Sequence, residues 1–97
     1  MKQYRVVVTD KAESALDRYI GYLADVKKNE QVANNLFYDY IETRKELERV
    51  AGSIKAPESQ KLKDRNLKRI NFRRHNYFML FRIDGEKAVV VEIFHGL

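Results

Sequence analysis

The tightest constraint on this chain is an Asp-Gly pair, Asp84-Gly85, set between two runs of alternating apolar residues. That combination signals a hairpin, because a two-residue type I′ turn needs positive φ, which Asp and Gly tolerate. The runs on either side, 77–83 and 87–94, read as paired strands. A third run, 67–73, precedes them across a tight turn at Arg74-His75-Asn76, which completes an antiparallel meander. The middle run is apolar on both sides, with Tyr77, Met79, Phe81 and Ile83 on one and Phe78 and Leu80 on the other, so it belongs inside the sheet. The first run is divided. Ile70 and Phe72 point one way and Arg69, Asn71 and Arg73 the other, which predicts one packed face and one cationic face.

Ninety-seven residues form a single domain, 1–97, able to bury roughly two-thirds of its unfolded surface. The chain has no cysteine, which excludes disulfides and thiolate metal sites, and two histidines are a poor metal set. No cofactor or metal is expected. No apolar run has the length of a membrane span and no signal-peptide core precedes the first strand, so the expected location is the cytoplasm. The net charge of +5 is strongly segregated. Residues 1–54 are neutral, 55–82 carry a net +7, and 83–97 a net −2. A solvated surface explains some of this. Concentration in one loop and two strands also favours an anionic partner, either nucleic acid or an acidic protein segment.

Upstream of the meander, the β-branched run 4–9 predicts a strand buried on both faces. A helix follows, with Asp10 as its cap and Glu13 as the return half of a capping box. Ala12, Ala15, Leu16, Tyr19, Ile20 and Leu23 form its apolar stripe. Asn29 caps a second helix of about five turns, striped by Val32, Ala33, Leu36, Phe37, Tyr40, Ile41, Leu47 and Val50, and Gly52 stops it. The connection at Lys28-Asn29 is so short that the helices must fold back as an antiparallel hairpin on one face of the sheet. Residues 53–66, with the only proline, read as a loop anchored by Leu62. Helices followed by strands, without alternation, give an α+β fold.

No nucleophile motif and no glycine-rich phosphate loop is present. Glu46 and Glu48, beside Lys45 and Arg49, read as a salt-bridged helix surface. His95 ends the last strand. Its ordinary role is a histidine satisfied by nearby backbone, and its functional alternative is a general acid or base. His75 is expected to be an exposed turn filler. Lys68, Arg69, Arg73, Arg74 and Arg82, with Lys61, Lys63 and Arg65 nearby, are the candidate binding residues, since guanidinium groups grip phosphate or carboxylate through paired hydrogen bonds. A charged edge strand guarded against aggregation uses the same residues. The weaker candidates for chemistry are Arg69, Arg73 and His95.

The strand Tyr4-Arg5-Val6-Val7-Val8-Thr9 running into a helix with Ala12, Ala15 and Leu16, then a second helix with Ala33, then Lys68-Arg69-Ile70, Tyr77 to Arg82 and Val90-Val91-Glu92-Ile93-Phe94-His95-Gly96 resembles the RelE/ParE superfamily of bacterial type II toxins over nearly the whole chain. The resemblance implies one mostly antiparallel four-stranded sheet and a toxin neutralised by a co-expressed antitoxin protein. RelE-like members cleave mRNA on the ribosome, whereas ParE-like members bind DNA gyrase and trap its cleaved complex. The RelE group commonly has an arginine just after the middle-strand tyrosine, where Phe78 follows Tyr77 here. It also places basic residues and a tyrosine beyond the last strand, and this chain stops at Leu97. The resemblance therefore implies a gyrase-directed toxin ahead of a ribosome-dependent endoribonuclease. A small basic RNA-binding module is the reading from a different class. Phe72, Tyr77, Phe78 and Phe81 are expected to be mostly buried, which opposes a stacking platform.

Overall fold

The computed structural model describes residues 2–96. Its elements are β1 (Arg5–Val8), α1 (Asp10–Gly21), α2 (Glu30–Val50), a short α3 (Gln60–Asp64), β2 (Lys68–Asn71), β3 (Tyr77–Asp84) and β4 (Lys87–His95). The strands form one sheet in the order β1-β4-β3-β2. The meander is antiparallel, and β1 joins it in parallel alongside β4, with Arg5 opposite Lys87 and Val8 opposite Val90. The expected α+β fold and mostly antiparallel sheet are the ones observed, and β3 is interior as its two-sided apolar pattern requires. β1 is an edge strand. Val6 is buried, but Val7 and Val8 are only half-buried, less than their β-branched run predicts.

The helices α1 and α2 pack on one face of the sheet, and the α3 segment lies on the other. Ala12 and Leu16 of α1, and Leu36, Tyr40 and Leu47 of α2, meet Phe72, Met79, Phe81, Ala88, Val90 and Ile93 in one core. At roughly 1.5–3 kcal/mol per large apolar side chain fully buried, this cluster supplies the main drive to fold. The β4 members of that core, Ala88, Val90 and Ile93, do not keep a period of two. A β-bulge explains this: Leu80 lies opposite Glu92 but Phe81 lies opposite Val90, which leaves Val91 as the extra residue. The bulge lets Val90 and Ile93 both face the helices.

Three local expectations change. Thr9, not Asp10, caps α1: its Oγ1 accepts from the Ala12 N–H at 3.2 Å, and Asp10 is the first helical residue, favoured there by the helix dipole. The β3–β4 loop is Gly85–Glu86, since Asp84 is still paired with Lys87. Gly85 has φ of 61° at the first central position, which is the type II′ pattern. Gly52 follows α2 as expected, but not in the left-handed conformation. The Tyr4 hydroxyl lies 2.7 Å from where a Cβ on Gly52 would sit, so close packing is what the position demands. The loop 53–66 contains α3, capped by Ser59. Asn29 caps α2 as expected, accepting from the Val32 N–H.

Between α1 and α2 the chain makes a π-helical turn, Tyr22–Val26, and reverses through Lys28 at φ 55°. Two members of the expected α2 stripe, Phe37 and Ile41, are exposed beside the buried face, together with Tyr38.

Candidate target-binding surface

The cationic residues of β2 and the following turn do not form one surface. β2 ends at Asn71, and the period of two that places Arg69 and Asn71 together ends with it. Arg69 and Asn71 lie on the face of the sheet turned away from α1 and α2, beside Ser59 and Leu62 of the α3 segment, with the Arg69 Nε donating to Asn71 Oδ1 at 2.8 Å. The Arg69 guanidinium lies 3.9 Å from the centroid of the Phe78 ring. Arg82, two positions beyond Leu80 on β3, shares this face and is exposed. Neither arginine pairs with a carboxylate among the described residues. Lys68 alternates onto the other side of β2 with Ile70 and is half-buried.

Arg73 and Arg74 go elsewhere. Arg73 lies 3.9 Å from Glu42 and 3.6 Å from Glu46, and Arg74 donates to Glu42 at 2.6 Å. Both carboxylates belong to α2. The expected gathering of Arg69, Arg73, Arg74 and Arg82 on one side is therefore corrected: two guanidinium groups stand on the face away from α1 and α2, and two are tied to a helix.

The cause is Asp39, which is 1% exposed in the middle of α2. Its carboxylate accepts from three consecutive backbone N–H groups, Arg73 at 3.1 Å, Arg74 at 3.0 Å and His75 at 2.8 Å. His75 Nδ1 lies 2.7 Å from the same carboxylate. Burial alone pushes the Asp39 pKa up, but the His75 side chain and the three backbone donors outweigh it and hold the carboxyl below its ordinary value. His75 is thus a partner of Asp39 and not the exposed filler expected. Thr43 completes the buried polar set by donating to the Asp39 carbonyl at 2.8 Å. Sequence reasoning missed Asp39 because an aspartate within a charged helix looks like surface. The signal available was its spacing: Leu36, Asp39, Tyr40, Thr43 and Leu47 follow the helical period of the buried stripe.

A second carboxylate, Glu92, is 8% exposed at the bulge and joins Arg65 at 2.8 Å and Lys11 at 3.3 Å. The Arg65 hydrogen bond is the main reason its pKa lies below the ordinary value, with Lys11 adding to it against burial. This pair of contacts ties α1 and the α3 segment to β4. Arg65 is therefore engaged, while Lys61 and Lys63 lie exposed on α3.

His95 faces away from Arg69. Its ring lies 4.7 Å from that of Tyr77 on the helix side, Tyr77 in turn meets Tyr19 edge-on at 5.2 Å, and the His95 backbone N–H donates to the Tyr19 hydroxyl. Gly96 donates to the Asn76 carbonyl at 2.7 Å, and a Cβ there would meet Asn76 Oδ1 at 2.9 Å. The closing His-Gly pair is accounted for by packing. Of Arg69, Arg73 and His95, only Arg69 stands on the face away from α1 and α2, so the three do not converge.

A solved structure shares this fold. It is a chain of the chromosomal ParDE toxin–antitoxin system from P. aeruginosa, similar over 98% of both chains with a TM-score of 0.81 and 20% sequence identity. No family model matches the chain, and a search of curated proteins finds no match. The RelE/ParE resemblance read from the strand and helix order thus holds for the fold. No helix among the described residues is long and apolar enough to cross a membrane.

Proposed function

We propose that this chain is the toxin of a type II toxin–antitoxin pair, of the ParE type, acting in the cytoplasm to inhibit growth and neutralised by a cognate antitoxin protein. The observation that supports this reading is the end-to-end likeness of its fold to a chain of a ParDE system. DNA gyrase is the proposed target. The scattering of the three candidate chemistry residues supports a toxin that binds over one that cleaves: Arg73 is held by α2, His95 is stacked on the helix side, and Arg69 is left without an acid–base partner. General acid–base catalysis requires such groups within hydrogen-bonding reach of one substrate. Ribosome-dependent mRNA cleavage is the competing mechanism.

The deciding experiment is induced expression in bacteria without an antitoxin, with DNA breakage and transcript cleavage followed in parallel. A DNA-damage response with intact transcripts is expected. Transcripts cut within ribosome-engaged codons would replace gyrase with the ribosome, and unimpaired growth at full expression would end the toxin reading.

A further inference from the structure

Three large apolar side chains stand together on the outward side of α2. Phe37 is 43% exposed, Tyr38 62% and Ile41 40%. Residues three and four apart share a helix face, and the Phe37 and Tyr38 ring centroids lie 6.2 Å apart, so the three form one ridge. The buried stripe through Leu36, Tyr40 and Leu47 faces the sheet, which turns the ridge outward. A cleft runs along each side of it. On the α1 side, a cleft of about 230 Å³ has Leu16, Phe37 and Ile41 as its apolar lining, with the exposed Glu13 and Asp17 beside them. On the side of the β2–β3 turn, a cleft of about 200 Å³ is bordered by Lys45, Arg49 and Arg73 with Glu42 and Glu46.

The two flanks differ in charge. Asp10, Glu13 and Asp17 are exposed along α1, and none of them pairs with a cation among the described residues. Arg44, which also borders the α1 cleft, offsets them in part. On the other flank Lys45, Arg49, Arg73 and Arg74 outnumber Glu42 and Glu46, and Lys45 has no carboxylate partner among the described residues. One apolar ridge therefore separates an acidic flank from a basic one.

We infer that this face binds a second copy of the chain, as a two-fold dimer in which the two α2 helices run parallel and face to face. A two-fold axis lying along α2 sets the acidic flank of each copy against the basic flank of the other, so the attraction is made twice. An axis lying across α2 would set α1 against α1, acid on acid. In the parallel arrangement, groups at one level along the axis meet. Glu13 and Arg44 line the same cleft, so Glu13 is level with Lys45 and faces Lys45 of the other copy. Tyr38 follows the ridge on the basic side of its own helix, and it enters the apolar cleft of the other copy between Phe37 and Ile41, with its hydroxyl donating to Asp17. The size suits a reversible contact. The 21 residues of α2 span about 31 Å, and with α1 alongside at about 9 Å the face covers on the order of 600 Å² per copy. About 1,200 Å² in all is the lower end of the range for specific complexes. A partner of other origin would have to supply the same ridge between opposite charges, which this chain already carries. The inference goes beyond the toxin reading and does not rest on it.

The test is sedimentation velocity on the purified chain over a wide range of concentration, in about 0.15 M salt, where the mutual repulsion of two net-positive chains is largely screened. The parent chain is expected to pass from one copy to two as concentration rises. Tyr38→Ala is expected to weaken association about tenfold or more, with thermal melting at high dilution unchanged because the side chain is exposed. Glu13→Lys and Lys45→Glu are each expected to weaken it about tenfold or more, since either reversal sets two like-charge pairs across the axis. Circular dichroism at the same dilution checks that both variants fold. An equimolar mixture of the two reversal variants is the sharpest arm. Each contact in the mixed dimer again joins opposite charges, and association is expected to return to within about threefold of the parent. A parent chain that stays single at every concentration overturns the inference, whatever other protein covers the ridge. A dimer indifferent to Tyr38→Ala overturns it as well, and reversal variants that do not recover on mixing overturn the parallel arrangement.

Discussion

Arg69 and Arg73 are four residues apart and chemically identical, yet the fold uses them in opposite ways. Around Arg69 the backbone is a strand, so the side chain is delivered to the face away from α1 and α2 and stays free of carboxylates. Around Arg73 the backbone is a turn clamped by Asp39, so the side chain falls against Glu42 and Glu46. Charge density along the sequence counts both residues equally. The lesson is that a buried carboxylate on a neighbouring helix can withdraw a basic segment from the face that its sequence spacing predicts.

Removing Asp39 should have the largest effect. Asp39→Ala leaves three backbone N–H groups and the His75 ring without their acceptor, at a cost of about 3 kcal/mol. Urea unfolding should show it as a lowered midpoint, and an unchanged midpoint would mean that the clamp contributes nothing. The same residue gives a pH dependence of known sign. Its folded pKa lies below the ordinary 3.8, so its stabilisation is fully present above that value and is lost as pH falls through the folded pKa. Asp39→Asn should flatten that acid limb, and an acid limb identical to that of the parent chain would assign the loss to other carboxylates.

Glu92→Gln should cost about 1–2 kcal/mol, because Arg65 and Lys11 both donate to Oε1, so the amide can keep that acceptor but not the negative charge that strengthens both contacts. If thermal melting does not change, the tie between α1, the α3 segment and β4 is dispensable. For function, the paired change Arg69→Ala with Arg82→Ala should lower toxicity at equal expression, whereas Arg73→Ala with Arg74→Ala should not. A reversed outcome would move the working surface to the α2 side. The smallest effect is on stability in that second pair: exposed ion pairs contribute little, so thermal melting of Arg73→Ala with Arg74→Ala should stay close to that of the parent chain.

Much of the fold was legible because its periodicities are local. The apolar stripes of α1 and α2, the short link at Lys28-Asn29 and the two-sided pattern of β3 each express one rule over a few residues. What escaped depends on partners distant in sequence. Nothing around Val91 announces a bulge, which is visible only when β3 is laid beside it. Thr9 and Asp10 are both good caps, and the choice fell to Thr9, whose backbone N–H is already drawn to the Val90 carbonyl. Arg69 stands on the face that alternation along β2 predicts. Arg73 was misplaced because the alternation was carried past the end of β2, and Arg74, read as a turn residue, because the Asp39 that aims the turn lies far away in sequence.

The parallel seam between β1 and β4 constrains the order of events during synthesis. Residues 5–8 are made some eighty residues before 87–90, their strand partner among the described residues. The helical hairpin can form early, but the sheet it covers cannot be closed until β4 has emerged, and such long-range pairing is slow to form. A nascent chain or a prematurely terminated product lacking β4 therefore has no completed sheet face, so translation itself delays the moment at which this surface first exists.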